Sequence, residues 1–175
     1  MKSSTPSIIS TGDHLAYMLY ALSLARQSPP RPTNYRVGAL LLDATTNTIL
    51  ATGYTLELEG NTHAEQCCLM KLSKEHGVPE DGLADVLPVN TVLYTTVEPC
   101  GKRLSGNLPC VERILRLGRT INTVYVGMKE PEKFVGENMA RNKLENAGIH
   151  VVLVDGLEKE ILQVATAGHI SPLME

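Results

Sequence analysis

One histidine, two cysteines and one spare carboxylate are the residues of this chain best suited to chemistry: His63, with Glu65 two positions on, then Cys100 and Cys110. An open catalytic zinc site takes three protein ligands and leaves its fourth position to water, and one imidazole with two thiolates meets that count. Hydrolytic attack on an amino-bearing ring carbon also needs a group that carries protons to the ring nitrogen and to the departing amine. A glutamate two residues after the ligand histidine can reach the water without ligating the metal. His63, Cys100 and Cys110 are therefore the candidate zinc ligands, and Glu65 is the candidate catalytic proton carrier. Cysteines are also common in ordinary cores. That reading leaves unexplained why His-x-Glu opens one helical segment, Pro99-Cys100 follows a strand-like run, and another cysteine stands at a helix start.

Nine residues, Gly101 to Pro109, separate the two cysteines, so their thiolates cannot share a helical turn. Cys100 must ligate from a loop. Pro109 precedes Cys110 and the helix-like run Val111 to Leu117, so the second thiolate comes from a helix start, where the backbone dipole favours the anion. A loop of that length between ligands is free to build a pocket wall.

The elements that must position these groups follow from local pattern. Met1 to Ser10 is Ser/Thr-rich and reads as a flexible arm over residues 1–10. Thr11 can cap a helix whose apolar face is carried by Leu15, Met18, Leu19 and Leu22, ending before Pro29-Pro30-Arg31-Pro32. Val37 to Leu42 and Thr48 to Thr55 read as a hairpin turned at Asp43 to Asn47. His63 to His76 reads as a helix stopped by Gly77, with His63 and Glu65 on its first turn. A connection over Gly77 to Asn90 leads to Thr91 to Val97, rich in Thr, Val and Tyr and so a strand, ending at Glu98-Pro99-Cys100. Helices near Val111 to Leu117, Gly136 to Ala147 and Leu157 to Thr166 then alternate with strands Thr123 to Met128 and Ile149 to Val154. Such alternation implies parallel pairing. A hairpin followed by alternating strands and helices predicts a three-layer α/β/α fold with a mixed five-stranded sheet and the site at its strand ends.

Composition narrows the partners. The chain has 175 residues, 43% of them hydrophobic and 4% aromatic, with a net charge of −3. That suits one domain with a single core. Single-stranded nucleic acid usually recruits a positive groove and stacking aromatics, so no nucleic-acid partner is expected and a small molecule is the easier substrate. No run approaches the length that spans a bilayer, and residues 1–10 hold too short an apolar stretch for a signal peptide, so no membrane partner is expected. Four cysteines, two of them candidate ligands and two adjacent at Cys67 and Cys68, do not form a disulfide framework. A cytoplasmic, reducing location is expected.

His63-Ala64-Glu65 and Thr96-Val97-Glu98-Pro99-Cys100, with Asn34-Tyr35-Arg36-Val37-Gly38-Ala39 upstream, resemble the cytidine-deaminase-like superfamily, and the resemblance runs from Asp13 to about His169. The long interval between cysteines departs from the cytidine and tRNA deaminases and is similar to the riboflavin-pathway pyrimidine deaminases. Arg103-Leu104-Ser105-Gly106-Asn107-Leu108-Pro109 and the tail from Gly156 to His169 resemble the fungal type. The resemblance implies a cytidine-deaminase-like domain over residues 11–168 with a C-terminal tail at 169–175, Zn2+ as cofactor, and a homodimer. It also implies hydrolytic deamination of 2,5-diamino-6-ribitylamino-4(3H)-pyrimidinone 5′-phosphate, with Glu65 moving the protons.

For substrate binding the same resemblance points to Asn34, placed where its amide side chain can hydrogen-bond the substrate, and to the Ala64 backbone facing the ring. Asn34 is otherwise a turn residue after Pro32. Phosphate needs cations, and Lys102, Arg103, Lys129, Lys133 and Arg141 are candidates by position, Arg103 first because it lies in the ligand-spanning loop. His169 is either a frayed terminus or, on the fungal-type resemblance, a group the tail presents to the ribityl phosphate of its own or a neighbouring subunit. His14, His76 and His150 have no partner motif. Cys67 and Cys68 read as core, although Cys67 stands one helical turn from His63. Two other readings compete: a cytidine or other nucleoside deaminase, and a non-catalytic zinc-stabilised interaction module. A structural zinc more often has four protein ligands, and the module leaves Glu65 without a role.

Overall fold

Side chains along the strands alternate between two apolar layers, and that alternation sandwiches one sheet between two sets of helices. The computed structural model describes residues 8–130 and 139–170. Its strands are β1 (Gly38–Asp43), β2 (Thr48–Tyr54), β3 (Thr91–Val97), β4 (Ile121–Met128) and β5 (His150–Leu153), and its helices α1 (His14–Ala25), α2 (Ala64–His76), α3 (Cys110–Leu115), α4 (Met139–Asn146) and α5 (Glu158–Ala165). The strand order is β2-β1-β3-β4-β5. β1 runs antiparallel to both β2 and β3, while β3, β4 and β5 are mutually parallel. The expected mixed five-stranded sheet and flanking helices are present.

Ala39, Leu41, Leu93, Val124 and Val126 face the layer of α2, α3 and α4, where Cys68, Leu69, Leu72, Val111, Ile114 and Leu144 complete the core. Leu40, Leu42, Val92 and Tyr94 face the opposite layer and pack on Tyr17, Met18, Ala21, Leu22, Ile161 and Ala165 of α1 and α5. β3 is buried at every position, as a central strand covered on both faces must be.

Two local expectations are corrected. Asp13, not Thr11, caps α1: its Oδ1 accepts the Ala16 N–H at 3.0 Å, because Gly12 turns the chain one residue past Thr11. The buried face of α1 is Tyr17, Met18, Ala21, Leu22, Leu24 and Ala25, whereas Leu15 and Leu19 are each 47% exposed. Apolar residues surround this helix, so periodicity alone does not say which face meets the sheet. The connection after α2 also contains a short 3₁₀ helix, Glu80–Asp85, whose Leu83 is fully buried. Lys133, residues 136–138 of the expected fourth helix, and parts of the expected arm and tail lie outside the described residues.

The approach of α1 to β1 depends on Gly38. A Cβ there would lie 1.9 Å from the Ala21 carbonyl oxygen and 2.6 Å from the Ala25 nitrogen, both backbone atoms that no rotamer change can move. Overpacking typically costs about 1–3 kcal/mol, and backbone contact this close belongs at or beyond the upper end. Gly38→Ala is expected to lower Tm by roughly 5–10 °C, measured by calorimetry on the zinc-loaded protein. An unchanged Tm would show that α1 does not approach β1 this closely.

Candidate active site

The site forms where the C-terminal end of β3 meets the first turns of α2 and α3. Beyond β3 the Glu98 N–H still donates to the Met128 carbonyl of β4 at 2.9 Å, which keeps the chain leading to Cys100 at the end of the sheet. The loop beyond returns on itself: the Val111 N–H donates to the Cys100 carbonyl at 3.1 Å, and the Cys110 N–H points at Cys100 Sγ at 3.4 Å. Pro109 is the extended N-cap of α3, and Cys110 is its first helical residue. His63 is likewise the extended N-cap of α2. Gly53 of β2 lets that turn sit down on the sheet, since a Cβ there would come within 2.3 Å of the Ala64 carbonyl oxygen.

These three backbone placements bring His63 Nδ1, Cys100 Sγ and Cys110 Sγ together. Each sulfur lies 3.5 Å from the imidazole nitrogen, and all three donor atoms fall within 4.8 Å of one another. Zinc–sulfur bonds of about 2.3 Å and a zinc–nitrogen bond of about 2.0 Å at tetrahedral angles set sulfur and nitrogen about 3.5 Å apart. The donor set and its spacing fit zinc. The Cys100 thiol is pulled down to about 4, chiefly by its hydrogen bond with Cys110 and then by His63, while the same pairing and burial push Cys110 up. Cys100 Sγ also receives the Cys110 N–H, a contact that favours its thiolate.

Glu65 is 5% exposed. Its Oε1 accepts the Thr95 hydroxyl at 2.9 Å, and its Oε2 lies 3.5 Å from Cys110 Sγ. Burial raises its pKa, the neighbouring Cys100 anion raises it further, and His63 only partly opposes them. A carboxyl held in this way keeps a proton more readily than a free glutamate, as a group that accepts and returns one must. Cys67 and Cys68 are buried core residues outside the ligand cluster, with Cys68 Sγ directed at the Ala39 carbonyl.

A cavity of about 400 Å³ opens over these groups, with His63, Glu65 and Cys100 in its lining. Asn34 lines it half-buried, its Nδ2 donating to Asn61 Oδ1 at 2.9 Å. Arg103 lines it too but is 8% exposed, with its guanidinium donating to Gln66 Oε1 at 2.9 Å and to the Asn61 carbonyl. Its Nε is buried without a hydrogen-bond partner among the described residues. His169 reaches the cavity from the end of α5 of the same chain, its Nε2 2.8 Å from the Asn34 carbonyl and its ring edge-on to Tyr35 at 4.9 Å. Ala64 is fully buried between two lining residues. Of the other cations, Lys102 lines the cavity; Lys129 does not, and Arg141 pairs instead with Glu145 at 3.1 Å. Thr95, Asn61 and Gln66 were not legible in the sequence, because each meets its site partner only through tertiary contact or an unremarkable helix-start position.

Fold and donor set together point to one class of zinc-binding protein: residues 11–128 match the cytidine and deoxycytidylate deaminase zinc-binding region, and the chain belongs to that family. It is 50% identical to the Aspergillus oryzae Rib2 deaminase, a C-terminal deletion mutant solved at pH 6.5, with a TM-score of 0.80 over 89% of this chain and 92% of that one. The same Aspergillus deaminase in complex with DARIPP superposes with a TM-score of 0.81 at 50% identity, over 89% of this chain and 91% of that one. The Schizosaccharomyces pombe diaminohydroxyphosphoribosylamino-pyrimidine deaminase is 34% identical over 157 residues, which are 90% of this chain and 36% of that protein. The chain therefore spans about a third of the length of this curated relative. These matches bear out the likeness to fungal riboflavin-pathway deaminases expected from the cysteine interval, the run Arg103 to Pro109 and the tail Gly156 to His169. Among the described residues no helix is long and apolar enough to cross a membrane.

Proposed function

We propose that this chain is the hydrolytic deaminase of riboflavin biosynthesis that converts 2,5-diamino-6-ribitylamino-4(3H)-pyrimidinone 5′-phosphate and water to 5-amino-6-ribitylamino-2,4(1H,3H)-pyrimidinedione 5′-phosphate and ammonia. The observation that carries this reading is the convergence of His63, Cys100 and Cys110 beside the buried Glu65, in a chain half identical to a Rib2 deaminase. Zinc held by those three residues supplies an acidified water as nucleophile. As the water oxygen bonds to C2, Glu65 takes up each proton that water gives up, passing the first to the ring nitrogen beside C2 and the second to the 2-amino group, whose bond to C2 then breaks to release ammonia and leave the carbonyl. Thr95 holds the carboxyl in place from the sheet. Asn34 and the Ala64 backbone hold the ring, and Arg103 and His169 serve the ribityl phosphate. The free Nε of Arg103 and the position of His169 in the lining support those two roles. The protein acts as a cytoplasmic homodimer in this reading, in a compartment reducing enough to keep the thiolate ligands.

Ammonia release from this phosphate and from cytidine, measured side by side on zinc-loaded protein and on His169→Ala, tests the reading. Turnover of the pyrimidinone phosphate alone is expected, with KM raised several-fold in the variant. Turnover of cytidine instead would replace the substrate. Turnover of neither would return the zinc site to a structural role.

A further inference from the structure

Gln66 lies on the third residue of α2, away from the ligand cluster, yet its single amide oxygen is shared by two parts of the site. Oε1 accepts the backbone N–H of His63 at 3.2 Å, the reciprocal half of a capping box, and also accepts Arg103 Nη1 at 2.9 Å. Arg103 belongs to the loop between Cys100 and Cys110, and its Nη2 donates to the carbonyl of Asn61, two residues before His63. The loop joining two ligands is thus latched to the chain entering the third. No carboxylate pairs with this 8%-exposed guanidinium among the described residues, so neutral oxygens alone satisfy its described hydrogen bonds. A buried cation held by so few acceptors is sensitive to losing one of them.

We propose that Gln66 is a positioning residue whose one oxygen sets His63 and the Cys100–Cys110 loop in register, so that the three zinc donors converge before the metal arrives. The inference concerns the ligand frame and rests on the deaminase reading only for the purpose that frame serves. It requires an acceptor at this position and no donor: no hydrogen bond from the Gln66 amide nitrogen occurs among those described, so a carboxylate can replace the amide.

The test is the rate at which zinc passes from folded protein to the chromogenic chelator 4-(2-pyridylazo)resorcinol, a readout that needs no substrate. Gln66→Met keeps the length and helix propensity of the side chain but removes the acceptor, and Gln66→Glu restores it. Groups that orient metal ligands typically contribute about 10- to 100-fold in affinity or activity. Gln66→Met is expected to release zinc about tenfold faster or more, Gln66→Glu within about twofold of the unaltered protein, and Gln66→Met with Arg103→Ala no faster than the faster single variant. Release from Gln66→Met at the unaltered rate would overturn the proposal. Gln66→Glu as fast as Gln66→Met, or multiplied effects in the double variant, would do the same. Should Gln66→Met not fold, Gln66→Glu and Arg103→Ala alone carry the test, with fast release from the first or unaltered release from the second counting against it. Failure of the unaltered protein to deaminate the pyrimidinone phosphate would remove the substrate reading and leave these rates standing.

Discussion

Glu65→Gln is expected to lower kcat for ammonia release by roughly 10²- to 10⁴-fold, the range a positioned general acid–base contributes, while zinc content stays at one equivalent. The two effects separate because Glu65 is not one of the three clustered donors. A glutamine keeps the shape of the side chain and can still accept the Thr95 hydroxyl now 2.9 Å from Oε1, so the pocket floor is preserved. What it loses is the ability to take up a proton and return it. Burial favours the protonated carboxyl, and an amide cannot exchange a proton in its place. Near-normal turnover by the variant would remove the proton role. Loss of zinc along with activity would show instead that Glu65 helps hold the metal.

The second large effect is expected from Cys110→Ala, which leaves two donors where an open zinc site needs three. After dialysis against a chelator the variant should hold less than about a tenth of an equivalent of zinc and show no measurable deamination. A ligand present at a thousand times its dissociation constant stabilises by about 4 kcal/mol, so loss of zinc should also lower Tm by about 10 °C. Cys68→Ala is the control. Cys68 is as deeply buried as Cys110 but packs in the core and points at the Ala39 carbonyl, so its truncation should lower stability and leave metal and turnover in place. Zinc retained by Cys110→Ala, or lost from Cys68→Ala, would reassign the ligands among the four cysteines.

The candidate zinc cluster was legible in the chain because each donor sits in a short local signature, even though the donors themselves lie far apart. His63 and Glu65 stand two residues apart at the opening of one helix, and Cys110 stands at the opening of another. The strand Thr91–Val97 matches its expected bounds, because a run of Thr, Val and Tyr is closed on one side by Asn90 and on the other by Glu98-Pro99. The same local logic failed at α1, whose apolar residues surround the helix and left Leu15 and Leu19 misassigned to the buried face.

Residue types and spacings by themselves therefore brought forward the His63, Cys100 and Cys110 donors, the candidate proton carrier Glu65 and the sequence of strands and helices, since each depends on side-chain chemistry or on a period of a few residues. Tertiary structure decided what those groups meet. Thr95 reaches Glu65 across 30 positions, Arg103 reaches Gln66 across 37, and His169 reaches the Asn34 carbonyl across 135. Contacts of that separation follow from strand order and from the seating of helices at the ends of the parallel strands. Many distant residues set these jointly by burying one shared core, so no short stretch of sequence encodes them.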